Sequence, residues 1–178
     1  MKCGKNYFAK QDSFLGMEKD FSIIINKMLK DDDLMRLLYY SQPDCLEASA
    51  PTMAQRLTLV NKNILLVPKI DIDMECPNYI VIRMGEFKPN ESNPEFRDCE
   101  IAFNILCHPD HWNLGDFKLR PYKIAGRIDT LFNEKKLTGI GTLHFMGTDD
   151  LVLNNDLMGI QIMYQAIHGV EDEINPLN

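Results

Sequence analysis

No apolar run in this sequence approaches the length of a membrane span, and the opening residues MKCGKNYFAKQDSF lack the continuous apolar core of a secretion signal. The expectation is a chain made and folded in a cytoplasm, with no membrane partner. Paired cysteines are missing too: Cys3, Cys45, Cys76, Cys99 and Cys107 are odd in number, and no two stand in CxxC spacing. That disfavours a disulfide framework or a zinc knuckle and leaves free, mostly buried thiols. Basic residues are outnumbered, 19 Lys and Arg against 26 Asp and Glu, for a net charge of -7. A surface that grips nucleic acid needs clustered cations to displace phosphate counterions, so this balance argues against such a grip, although an acidic wall can face DNA without holding it. Finally, no Pro-, Ser- or Gly-rich linker divides the 178 residues. One domain is expected over 18–169, with an N-terminal extension at 1–17 and a C-terminal tail at 170–178.

What is present is strongly patterned. Phe21, Ile24, Ile25, Met28 and Leu29 recur at helical spacing, with Glu18, Lys19, Lys27 and Lys30 elsewhere around the axis. Asp31, Asp32 and Asp33 then interrupt the stripe and supply a capping carboxylate for a second helix carrying Leu34, Leu37 and Leu38. After the Pro43–Pro51 loop, PTMAQRLTLVN predicts a short third helix with Pro51 at its first position. From Asn63 the period changes to two: Ile64, Leu66, Ile70 and Ile72 share one face of NILLVPKIDID, and Pro68 confines that strand to an edge or a bulge. Ile80, Ile82 and Met84 repeat the alternation. GEFKPNESNPEFRD (85–98) reads as a long exposed loop.

The next strand, CEIAFNILC, sets Ile101, Phe103, Ile105 and Cys107 on one face and Glu100, Ala102, Asn104 and Leu106 on the other. Pro121 opens a helix whose stripe is Ile124, Ala125, Ile128, Leu131 and Phe132, with Lys135 and Lys136 near its end. GIGTLHF and LMGIQIMYQAIHG form a closing strand pair joined through MGTDDLVLNND. The expected fold is α+β: a mainly antiparallel sheet of about five strands packed against a central amphipathic helix, preceded by N-terminal helices.

Few residues offer chemistry. Cys107, His108, Asp110 and His111, with Cys99 at the start of the same strand, carry zinc-ligating and nucleophilic groups and define the enzyme alternative, a small metal- or thiol-dependent activity. Against it, adjacent positions around Pro109 do not converge in a tetrahedron, and neighbouring strand residues point to opposite faces. The Asp triplet suffers the same divergence as a metal site. GIGTLHF lacks a phosphate-loop pattern and follows a helix, and the NES triplet at Asn90 is a loop sequence. No catalytic residue, metal or cofactor is therefore assigned. Arg120, Arg127 and Asp129, together with Lys88, Glu91, Glu95 and Arg97 of the 85–98 segment, are the candidate interface residues, since Arg brings both a flat stem and a forked donor to a contact.

The segments IINKMLKDDDLMRLLYY, CEIAFNILCHPDHW, LRPYKIAGRIDTLFN, LTGIGTLHF and DLMGIQIMYQAIHG, in that order, resemble the tail terminator and tail-completion proteins of long-tailed bacteriophages. The resemblance spans residues 18–169 and rests on pattern and order. It implies a non-enzymatic virion protein, assembled in the host cytoplasm, that forms a homohexameric ring at the head-tail junction. Its implied partners are further copies of itself, the tail tube protein and the connector or stopper protein, with genome DNA passing through unbound. A head-tail stopper or other neck ring is the alternative of the same class.

Overall fold

The computed structural model describes residues 17–66, 78–90, 97–137 and 141–168. The chain is α+β, as its patterning predicts. Helices α1 (Met17–Leu29), α2 (Asp32–Tyr39) and α3 (Met53–Leu59) come first, and α4 (Arg120–Phe132) lies between the strands. Five strands form one sheet in the order β1-β2-β3-β7-β6: β1 (Ile64–Leu65), β2 (Asn78–Pro89), β3 (Arg97–Cys107), β7 (Met158–His168) and β6 (His144–Val152). All neighbours are antiparallel except β1, which pairs parallel with Ile80 and Val81 of β2. The two-residue strands β4 (Lys136–Leu137) and β5 (Gly141–Thr142) pair separately.

All four helices contribute to one core that covers one face of the sheet. Ile24 and Met28 of α1, Leu34 and Leu37 of α2, and Ile124, Ile128 and Phe132 of α4 are buried with Ile82, Ile101, Phe103, Ile105, Ile162 and Tyr164 of the sheet. Phe103 stacks on Phe132 at 5.1 Å and meets Tyr164 edge-on at 6.0 Å, a geometry that satisfies the ring quadrupoles. The opposite face carries a smaller cluster of Leu65, Tyr79, Val81, Leu106 and Leu157. β3 and β7 approach so closely there that a Cβ on Gly159 would lie 1.9 Å from the Ile105 carbonyl oxygen, so this position admits only glycine.

Local capping explains the helix starts. Asp31 caps α2, accepting a hydrogen bond from the Leu34 N–H at 2.8 Å. α3 begins two residues later than proline placement suggests. Thr52 and Gln55 form a reciprocal capping box, which leaves Pro51 just outside the helix.

Two expected loops are largely strand. β2 runs on to Pro89 and β3 begins at Arg97, so most of the described part of 85–98 is the arms of a hairpin. A register shift between Gly85 and Lys88 absorbs the turn-forming residues, with Glu86 at φ 55, and Asn90 donates to the Asp98 carboxylate across the strands at 2.8 Å. Likewise MGTDDLVLNND is mostly β6, and the turn is confined to the residues after Val152. Of the strand expected in NILLVPKIDID only Ile64 and Leu65 are assigned, at the sheet edge; Pro68, Ile70 and Ile72 lie outside the described residues. So do Cys3, Cys76, Glu91, Glu95, nearly all of the N-terminal extension and the C-terminal tail.

Candidate functional site

The fold buries the Cys99 and Cys107 thiols and leaves His108, Asp110 and His111 together in the turn that follows β3, the two imidazole rings 5.9 Å apart. Cys107 ends β3 inside the core with no exposed surface, and burial pushes its thiol up to about 12, the nearby Arg120 charge opposing only in part. His108 turns outward to cap the short turn Pro109–His111, its Nδ1 accepting from the Asp110 N–H at 3.3 Å. His111 Nδ1 lies 3.3 Å from the Ser41 carbonyl oxygen, and Trp112 Nε1 donates to the Cys107 carbonyl at 3.1 Å. The imidazoles and the indole thus meet backbone groups, the Cys107 thiol is sealed in the core, and the exposed Asp110 carboxylate stands 3.6 Å from His108 Nδ1. Among the described residues no three His, Cys, Asp or Glu side chains stand together as a metal site. Cys99 is also buried, its thiol pushed up to about 12 by desolvation and then by the Asp20 and Asp98 carboxylates. Cys45, Cys99 and Cys107 are free thiols.

Arg120, expected at an interface, is fully buried. Its Nε donates to the His111 carbonyl at 2.8 Å, Nη1 to Leu37 and Tyr40 at 2.7 Å, and Nη2 to Ser41 and Gln42 at 2.8 Å. Five N–H donors meet five carbonyls, so the guanidinium seals the C-terminal end of α2 and ties the 40–45 segment to the start of α4. The sequence places Arg120 beside Pro121 at a helix start and gives no sign of these carbonyls, four of which lie about 80 residues upstream.

Arg127 is also an internal tie, half-buried and paired with both carboxylate oxygens of Asp31. The acidic triplet diverges onto three arginines: Asp31 to Arg127, Asp32 to Arg56 and Asp33 to Arg36 at 2.8 Å. The hydrogen bond from Arg56 holds the Asp32 carboxyl below its ordinary range. Asp129 accepts from the Tyr164 hydroxyl at 3.0 Å, which places it against the sheet. Of the other candidates, Lys88 is exposed, with Glu86 at 3.5 Å. Arg97 occupies the first position of β3, opposite Pro89.

The surface that stands out is one that residue types do not reveal. β6 is a nine-residue edge strand, and beyond it no described strand continues the sheet. The helix layer stops short of it, leaving Phe145, Met146 and Val152 with relative exposures of 50%, 56% and 72%. Asp149 and Asp150 are exposed at its middle. Such an edge presents a row of unsatisfied backbone donors and acceptors next to apolar side chains, the arrangement that accepts another strand.

A second feature is a tight finger at 113–119. Asn113 and Leu119 bridge at its base, Lys118 N donates to Gly115 O at 2.8 Å, and Asp116 and Phe117 both have positive φ, 48 and 60. This is the mirror-image turn that normally takes Asn-Gly. A bulky residue there is strained, yet the Phe117 ring is wholly exposed at the tip.

The sequence matches the model of the YomW family over residues 31–166, from the Asp31 cap to Ala166 in β7. The chain belongs to the YomW family. YomW is the name of a phage-derived protein family, consistent with a phage protein. No curated protein and no solved structure matches the chain.

Proposed function

We propose that this YomW-family protein is a non-enzymatic virion component that closes into a ring at the head-tail junction, capping the tail tube and joining it to the connector. The observation that carries this reading is the β6 edge, nine residues long, beyond which no described strand lies and along which Phe145, Met146 and Val152 are exposed. An edge that takes up another copy repeats around an axis, and a rotation that closes yields a ring of fixed size. Such a ring acts by geometry. It stops tube growth because its outer face does not repeat the tube's own contacts, and it offers that face to the next component. The exposed Phe117 ring at the tip of the finger suits this second contact, since a large apolar side chain gains most when a partner covers it. The net charge of -7 fits a channel through which DNA slides without being gripped. Support also comes from the phage-derived family name and from the resemblance of the sequence segments, in order, to those of tail terminators.

The test is the mass of the purified chain by light scattering, followed by imaging with isolated tail tubes. A closed species several times the 20.5 kDa subunit, sitting at tube ends, is expected. A monomer at all concentrations, with or without tubes, overturns the proposal.

A further inference from the structure

Resting on the ring reading, we propose that β6 of one copy pairs antiparallel with the outer edge of β2 in the next copy from residue 82 onward, Asp149 facing Gly85 between Arg83 and Lys88, so that its carboxylate meets Arg83 diagonally across the junction. Three observations support this partner. First, β1 covers only Ile80 and Val81 of β2, and from residue 82 onward no described strand lies on the side of β2 away from β3. Second, the directions agree: β2 and β7 run the same way and β6 runs opposite to both. A rotation that carries one copy to the next without flipping the sheet therefore sets β6 antiparallel to the incoming β2, with each face kept on its own side.

Third, the charges match on the face away from the helices. Asp149 pairs with Gln161, and Gln161 with Asn104, which sets Asp149 on the same face as Arg83. Lys88, opposite Asp98, is on that face too. Arg83 has only a 3.5 Å contact with Glu100 and is 55% exposed, so it is available to a stronger partner. On the helix side, exposed Val152 of β6 comes opposite Ile82 of β2 and beside half-buried Met84, while Asp150, which shares this side with Ile160, lies opposite Met84 at the rim. A two-fold pairing of β6 with itself fits poorly. It gathers four carboxylates, Asp149 and Asp150 of each copy, into one stretch of sheet, and β6 has no Lys or Arg to offset them.

Charge reversal in the full chain tests the contact. Asp149→Arg and Arg83→Asp should each raise the concentration needed for assembly by about tenfold or more, without altering the melting temperature at these exposed positions. Mixing the two single variants should restore assembly, because an alternating ring then holds one native and one reversed pair. The double variant should restore it as well. Asp149→Asn and Arg83→Gln, which remove the charges without reversing them, provide a graded version should a reversal disturb folding. If the wild type forms rings while Arg83→Asp assembles normally, or while neither the mixture nor the double variant recovers, the proposed pairing is wrong and the ring closes through another surface. A wild type that never assembles removes the ring reading and this junction together.

Discussion

Replacing Arg120 by methionine keeps an unbranched stem of similar bulk to the arginine's and removes all five N–H donors. The structure gives the scale of the loss. Five carbonyls, those of Leu37, Tyr40, Ser41, Gln42 and His111, lose their partner at once. The Leu37 contact is fully buried and the others are partly so, which lets water re-solvate some of them. A buried carbonyl left without a donor costs about 1–3 kcal/mol, and dismantling a buried charged network typically costs about 3–5 kcal/mol. The recovered cost of desolvating the guanidinium offsets part of this. A net loss of about 3 kcal/mol or more is expected, which for a chain of this size lowers the melting temperature by at least roughly 6 °C. Arg120→Lys should recover only part of it, because an ammonium offers three donors where five acceptors converge. Urea denaturation of the three proteins measures the effect. Cys45 adds a local probe: its thiol is buried 3.5 Å from Arg120, and its alkylation in the native state should quicken in both variants as the 40–45 segment loosens. If Arg120→Met stays within about 1 kcal/mol of the wild type, with Cys45 as protected as before, the guanidinium is not the clasp described.

Ile128→Asp places an unpaired carboxylate in the core and should destabilise far more than Arg127→Ala. The latter should still cost about 1–2 kcal/mol, because it strips the arginine from the buried Asp31 cap; equal melting temperatures would refute the assignment of the α4 faces. Phe117→Asn relieves a bulky side chain at φ 60 and should stabilise the isolated subunit by roughly 0.5–1 kcal/mol while weakening docking to the neighbouring component; a lower melting temperature would contradict the strained turn. The Cys99 and Cys107 thiols, at about 12 in the folded chain against an ordinary 9, are protonated in both states below pH 9, where their contribution is fully present. Above that the unfolded chain ionises first, so stability falls as pH rises from 9 towards 12, by roughly 1.4 kcal/mol per pH unit for each thiol. Cys107→Ala should flatten that slope in urea titrations at successive pH values, and an unchanged slope would mean the thiol is not held neutral by the fold.

The sequence by itself determined the elements whose cause is local. The helical stripe of Ile124, Ile128 and Phe132, the alternation of Ile101, Phe103 and Ile105, and the Asp31 cap all follow from side-chain period and from orphan N–H groups within one turn. Only the tertiary structure decided what distant partners decide. The 85–98 segment reads as loop because its turn formers outweigh its strand formers locally, yet Asp98 and Glu100 lie across from Lys88 and Gly85 and draw both arms into the sheet. Arg120 reads as a surface charge because a lone Arg at a helix start is usually solvated, and four of the five carbonyls that hold it belong to a segment far upstream. The candidate site had no signature at all in residue order. An edge strand and an inner strand share the same alternation, and what makes β6 available is that no described strand lies beyond it, a property of the assembled sheet and of no residue within it.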